Sequence, residues 1–327
     1  MPRVRALRSL LNITIGACLA AAACSGVAQQ PYPNRPLRLI VPLAPGGTTD
    51  ILARTMSQHL AGLLGQPVVI ENRSGAGGTV GTDVVAKSPA DGYTLLIISA
   101  DTYTTNAVLY ANLPFDPRRD LKPISILAAS PSLLTVHPSV PAKSVKELVA
   151  LSKARPGELN YGSGGTSGQL RMELLKFNTG MIITNIPYKG SGPALIDQIA
   201  GHVHAGFFNL VATLPQVQAG KLRALVVTGA RRSDPLPAVP STVELGIKGF
   251  DENVGYLMLL PGATPGAIVT RLNGDIAKVL NLPEVKGRLA SEGSEVVGST
   301  SEQAQAVVHR QIDQWADVVK RTGIKLQ

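Results

Sequence analysis

Three stretches of the 327-residue sequence combine glycines with hydroxyl side chains: APGGTTD at 44–50, NRSGAGGTVG at 72–81 and YGSGGTSGQ at 161–169. Each follows an apolar run and leads into a segment of helical periodicity. The first N–H groups of a helix have no partner within it, and the helix dipole places partial positive charge there, so such a turn attracts anions. Glycine lets the backbone come close to a guest, and Thr48, Thr49, Thr79, Ser163, Thr166 and Ser167 add hydroxyl donors. One turn of this kind also reads as an ordinary strand-to-helix connection whose Ser or Thr caps the helix. Three of them at one sheet edge favour a bound anion. Asp50 either completes the first helical turn or contacts the ligand, directly or through water.

Other chemistries lack their residues. Gly75 and Gly77 begin a dinucleotide-binding pattern, but its third glycine falls on Val80, and no GxxxxGK followed by Ser or Thr occurs. A nucleophile elbow is absent around Ser163, where Tyr161 stands in place of the first glycine. Among five histidines only His202 and His204 are close, and two ligands on one strand face do not complete a metal site. No catalytic residue, metal or cofactor is therefore assigned. Aromatic residues make up 4% of the chain and no basic run occurs, which argues against nucleic acid.

The elements that must position these turns alternate. LRLIV at 37–41 reads as a strand, TDILARTMSQHLAGLLG as an amphipathic helix ended by Gly65, PVVIEN as a strand, TVGTDVVAKS as a helix and YTLLIIS as a strand. This βαβαβ order predicts a parallel sheet with helices on its faces. The alternation continues through ISILAAS, LLTVHP, a helix capped by Ser144 with Glu147 three residues on, LNYGS, SGQLRMELLKFNTG, IITNIPY, GPALIDQIAG, VHAGFFN and LRALVVTG. YLMLLP and EVVGS read as late strands, and two long helices fill much of the C-terminal part, the second carrying Trp315 as a packing residue. SILAASPS at 125–132 and FDENVGY at 250–256 look like crossings between two lobes, which would leave a cleft between them.

The length suits two domains, and 44% hydrophobic against 16% charged residues permits a large core. Residues 1–28 have the shape of a secretory signal: Arg3, Arg5 and Arg8, an apolar stretch, then small residues up to Ala28. Both cysteines, Cys18 and Cys24, fall inside it, so the exported chain would carry no thiol. Cys24 is the lesser candidate for a lipid anchor, since Ala21 stands where leucine is usual. The net charge is +9; without the three signal arginines, 28 basic against 22 acidic residues leave +6, which favours an anionic ligand or an acidic surface.

The sequence resembles the Bug or TctC family, the periplasmic solute-binding receptors of tripartite tricarboxylate transporters. The resemblance is carried by YPNRPLRLIVPLAPGGTTDILAR, LGQPVVIENRSGAGGTVGTDVVAKSPADGYTLL, LPFDPRRDLKPIS, KARPGELNYGSGGTSGQLRMELL, IPYKGSGPALIDQIAGHV, LPQVQAGKLRALVVTGARRS and VPSTVELGIKGF, which span essentially the whole exported chain. It implies an α/β, two-lobed periplasmic binding protein of type II-like architecture. Each lobe would be a mainly parallel sheet flanked by helices, joined by two crossover strands, with one lobe from 29–128 and 253–327 and the other from 129–252. The implied function is capture of a small carboxylate and delivery to membrane permease subunits, by a non-enzymatic periplasmic monomer. A secreted hydrolase using Ser163 or Ser167, and a sensor presenting ligand to a membrane kinase, are the alternatives. The family match carries over Gly46, Gly47, Thr49, Asp50, Gly78 and Thr79 from one lobe and Ser163, Thr166 and Ser167 from the other. Where the family often has an acidic or small residue before the asparagine of AGFFNL, this chain has Phe208 before Asn209. That points to a ligand with an apolar or aromatic part, or to a core phenylalanine.

Overall fold

The computed structural model describes residues 32–110, 112–250, 254–291 and 293–323; the expected signal segment, with Cys18 and Cys24, lies outside them. Two mixed sheets flanked by helices make up the fold. The first contains β1 (Leu37–Val41), β2 (Val68–Asn72), β3 (Thr94–Ser99), β4 (Leu121–Ser130), β10 (Val254–Pro261) and β11 (Glu295–Val296), in the order β11-β4-β10-β3-β1-β2. The second contains β5 (Ser132–Val136), β6 (Asn160–Ser163), β7 (Thr184–Pro187), β8 (Ala205–Asn209) and β9 (Arg223–Val227), in the order β7-β6-β8-β5-β9.

Strand direction records how the chain moves between the sheets. In the first sheet β1, β2, β3 and β4 run one way, while β10 is antiparallel to both β3 and β4. In the second sheet β6, β7, β8 and β9 run one way, while β5 is antiparallel to β8 and β9. Two of the opposed strands, β5 and β10, are those that enter from the other sheet: only Pro131 separates β4 from β5, and β10 is the strand of return; the third, β11, is a short edge strand antiparallel to β4. Strands β1, β2, β3, β6, β7 and β8 are each followed by a helix, so their C-terminal ends line up where ligands bind in open α/β sheets.

Helix α1 (Thr48–Leu64) buries Leu52, Met56, Leu60 and Leu64 at helical spacing and ends at Gly65, whose φ of +65° is the left-handed cap that glycine adopts without strain. The apolar runs of β1 and β3 are buried almost throughout, as strands covered on both faces must be. Helix α2 (Thr79–Ala86) follows β2, and α3 (Ala100–Leu109) follows β3. The first core joins Ile40, Leu96, Ile98 and Leu257 to Ala304, Val308 and Ile312. The second joins Leu134, Tyr161, Met172, Leu175 and Phe207, with the Phe207 and Phe250 rings stacked at 5.6 Å.

The helices α4 (Val145–Ala154), α5 (Thr166–Thr179) and α6 (Ser191–Ile199) match the sequence periodicity closely. At α4 the Ser144 hydroxyl accepts the Glu147 amide at 3.2 Å, but the Glu147 carboxylate takes the amide of Lys143, not that of Ser144. Helices α7 (Leu210–Gln218), α8 (Gly266–Asn281), α9 (Pro283–Ser291) and α10 (Ser301–Thr322) complete the order. Periodicity did not point to α3, α7 or α9, for reasons that differ. Pro215 interrupts α7, α9 begins at Pro283, and α3 hides polar rather than apolar side chains.

Candidate functional site

Six helices begin at the C-terminal ends of strands or just beyond them: α1, α2, α3, α5, α6 and α7. Two are capped by side chains. Ser99 accepts the Thr102 amide at 3.1 Å, and Asn209 accepts the Val211 amide at 3.1 Å. The other four are preceded by Gly47, Gly78, Gly165 and Gly190, and no side chain caps them. Two helices away from the site, α4 and α10, are capped by Ser144 and Thr300, whereas α8, entered through Pro265, has no side-chain cap either. Uncapped first turns keep their amide donors for another acceptor.

The turns from the two sheets meet. The Ala44 amide donates to the Lys189 carbonyl at 3.2 Å, the Thr48 hydroxyl to Asn209 Oδ1 at 3.3 Å, and the Thr102 hydroxyl to Ser167 Oγ at 3.2 Å. Thr105 donates to Thr166 Oγ1 at 3.1 Å, and Thr166 in turn donates to Asn106 Oδ1 at 2.7 Å. Asp101 and Arg171 form a buried ion pair across the same seam. Between these contacts lies a cavity of about 40 Å3, bounded by Gly47, Thr49, Asp50, Ser99, Ser167 and Arg171 among others. On the opposite side of the 163–169 turn a more open pocket of about 550 Å3 is lined by Gly77, Tyr110, Ser163, Thr166, Gln169 and Lys189 among others.

The expected residues therefore divide. Gly47, Thr49, Asp50, Ser167, Phe208 and Asn209 line the inner cavity, whereas Ser163 and Thr166 line the outer pocket. Gly46, Gly78 and Thr79 line neither: the Gly46 amide donates to Asp50 Oδ2, Gly78 packs beside Pro42 and Thr102, and the Thr79 hydroxyl donates to the Ala76 carbonyl. Both readings of Phe208 have a basis, because it borders the cavity and also packs with Ala194, Leu195, Ala212 and Leu222. His202 lies beside Asp197 while His204 bonds Asn160, and among the described residues no group of three His, Cys, Asp or Glu side chains could hold a metal.

Sequence reasoning missed Ser99, Thr102, Ser191, Arg171 and Tyr256, all at the inner cavity. Ser99 could have been found, because it ends a strand at the same sheet edge as the glycine turns. Ser191 lies in the KGSG turn, a fourth version of the same design. Arg171 carried no such signal, since it sits between Leu170 and Met172 in an otherwise regular helix.

The cavity's formal charges cancel in pairs. Burial pushes the Arg171 guanidinium down to about 10, with Tyr256 acting the other way, so it remains charged at neutral pH beside Asp101. Burial also raises the Tyr256 phenol, against the opposing effects of Thr48 and Arg171. Arg54 pairs with Asp50 at 3.0 Å. With both pairs neutralised, attraction for an anion rests on amide dipoles and hydroxyls.

The family described as "Tripartite tricarboxylate transporter family receptor" (TctC) matches residues 52–324. Protein BugT of Bordetella pertussis is 39% identical over 321 residues, covering 97% of this chain and 98% of its own. Two solved structures are similar throughout. R. palustris Rpa4515 with adipate is 40% identical with a TM-score of 0.85, over 90% of this chain and 99% of its own. The periplasmic binding protein BugD is 33% identical with a TM-score of 0.87, over 90% and 100%. Agreement of this extent, in sequence and in the folding of both sheets, makes the chain a member of the tripartite tricarboxylate transporter receptor family.

Proposed function

We propose that the chain captures a small carboxylate in the inner cavity and delivers it to membrane permease subunits of a tripartite tricarboxylate transporter, after export to the periplasm by residues 1–28. The observation that carries this reading is the set of glycine-headed helix starts left uncapped at the seam between the sheets. The two sheets act as lobes, 29–128 with 253–327 and 129–252, that part to admit the acid and close on it. Phe207 and Phe208 give the cavity an apolar wall for the carbon skeleton. The adipate bound by the R. palustris relative supports a carboxylate as the guest. A hydrolase is disfavoured: the side-chain hydrogen bond at Ser167 comes from Thr102, and among the described residues neither Ser163 nor Ser167 bonds a histidine, lysine or carboxylate.

Isothermal titration of residues 29–327 against mono- and dicarboxylates tests the reading. Binding of at least one acid is expected, weakened about tenfold in Ser167→Ala through loss of one hydrogen bond to a charged group. No heat with any acid would remove the proposal.

A further inference from the structure

Helix α10 serves both cores. Ala304, Val308 and Ile312 pack into the first, and Val318, further along the helix, packs against the second. Where the helix passes from one to the other it leaves a pocket of about 290 Å3. Gln311, Trp315 and Val318 line it from the helix, Phe250 lines it from the second core, and Asp101 and Arg171 bound it as an ion pair. Among the described residues, none from the turns at 44–50, 163–169 or 189–192 reaches it. Arg171 borders both this pocket and the inner cavity, so the ion pair stands between the two spaces.

Two aromatic rings and one unanswered acceptor set the chemistry of this pocket. Phe250 is 4% exposed and Trp315 is half-buried. Gln311 is 7% exposed, and its Oε1 is buried without a hydrogen-bond partner. The charges of Asp101 and Arg171 already answer each other. A buried carbonyl oxygen left unpaired costs hydrogen-bond energy that a donor would restore. The terminal torsion of glutamine is broad, so the amide can turn that oxygen toward the pocket its side chain lines. The volume lies close to the lower end of small-molecule sites, roughly 300 Å3, which suits a compact ring. We propose that this pocket binds a second small molecule, with a flat apolar body against Trp315 and Phe250 and an N–H donor for Gln311 Oε1. The site is separate from the carboxylate cavity and does not rest on the proposed function.

Trp315 is the only tryptophan of the chain, so its fluorescence reports on this pocket. The test titrates wild type and Gln311→Leu with benzamide, which carries a ring and an N–H donor, and with methyl benzoate, which has nearly the same shape and no donor. In the wild type, benzamide is expected to change the emission saturably and to bind about three- to tenfold tighter than the ester, as one neutral hydrogen bond implies. Gln311→Leu should erase that preference and still bind the ester, and saturating adipate should leave the benzamide titration in place. A wild type that shows no saturable change with benzamide, or that binds both probes equally, overturns the site whether or not the variant folds. A preference that survives in folded Gln311→Leu overturns it too, as does a benzamide signal that adipate abolishes, which would put the probe in the inner cavity. If adipate itself does not bind, the proposed function falls, and the comparison of benzamide with its ester still decides this site.

Discussion

A carboxylate beside a site for anions repels its guest unless its charge is already answered. Asp50 is 4% exposed and borders the inner cavity, and its oxygens receive the Gly46 amide, the Arg54 guanidinium and the Asn72 side chain. Gly46, at a φ of +87°, is held in the left-handed conformation that the turn needs. Asp50 thus shapes the turn by binding its backbone. Burial alone would raise the Asp50 pKa, but hydrogen bonds from Arg54, Gly46 and Asn72, with the Arg54 charge, hold it below the usual carboxylate range. A depressed folded pKa contributes stability above the unfolded value of about 3.9, and that contribution is lost as pH falls through the folded value. Asp50→Asn is therefore expected to lower Tm at neutral pH, with the gap to wild type narrowing below about pH 4. A gap that stays constant down to about pH 3 would show that the charge at Asp50 does not stabilise the turn.

Helix α3 shows what an element can hide from a search for apolar periodicity. Asp101, Thr102, Thr105 and Asn106 are all 5% exposed or less, and they face α5 across the seam, where Thr166, Ser167 and Arg171 answer them. A helix that buries a polar face against polar partners has no apolar stripe there to betray it. Its start is nonetheless ordinary, since the Ser99 hydroxyl caps it and donates to Thr102 at 2.8 Å. Ser99→Ala should cost about 1 kcal/mol of stability, read from urea unfolding, and should weaken carboxylate binding as well, because Ser99 borders the cavity. An unchanged unfolding midpoint would mean that α3 does not depend on this cap. The same contrast explains how much of the molecule was legible. Strands β1 and β3 announce themselves as short apolar runs buried almost throughout, and helix α1 by apolar side chains buried at helical spacing. The glycine turns announce themselves because their backbones need glycine. Arg171 and Tyr256 reach the cavity only through tertiary packing, which local pattern does not encode.

At the scale of the whole molecule, the two halves touch through backbone rather than side chains at the turn before α6. The Ala44 amide bonds the Lys189 carbonyl at 3.2 Å, a Cβ on Gly190 would come 2.8 Å from the Ala44 nitrogen, and a Cβ on Gly192 would overlap the Pro45 carbonyl oxygen. A cavity of about 40 Å3 behind such contacts is far smaller than the usual ligand pocket of roughly 300–1,000 Å3, so the proposed capture requires the halves to part before a solute enters. Gly192 then has two opposing roles. Within α6 an alanine would improve helix propensity by up to about 1 kcal/mol. Across the seam its methyl group would keep the halves apart, at an overpacking cost of about 1–3 kcal/mol borne by the closed form alone. Gly192→Ala should therefore retain its helix content and thermal stability while losing about tenfold to hundredfold in carboxylate affinity. Its radius of gyration by small-angle X-ray scattering, with saturating ligand, should exceed that of the wild type. Wild-type affinity together with a wild-type radius would mean that the close backbone approach at Gly192 is not what closes the molecule on its guest.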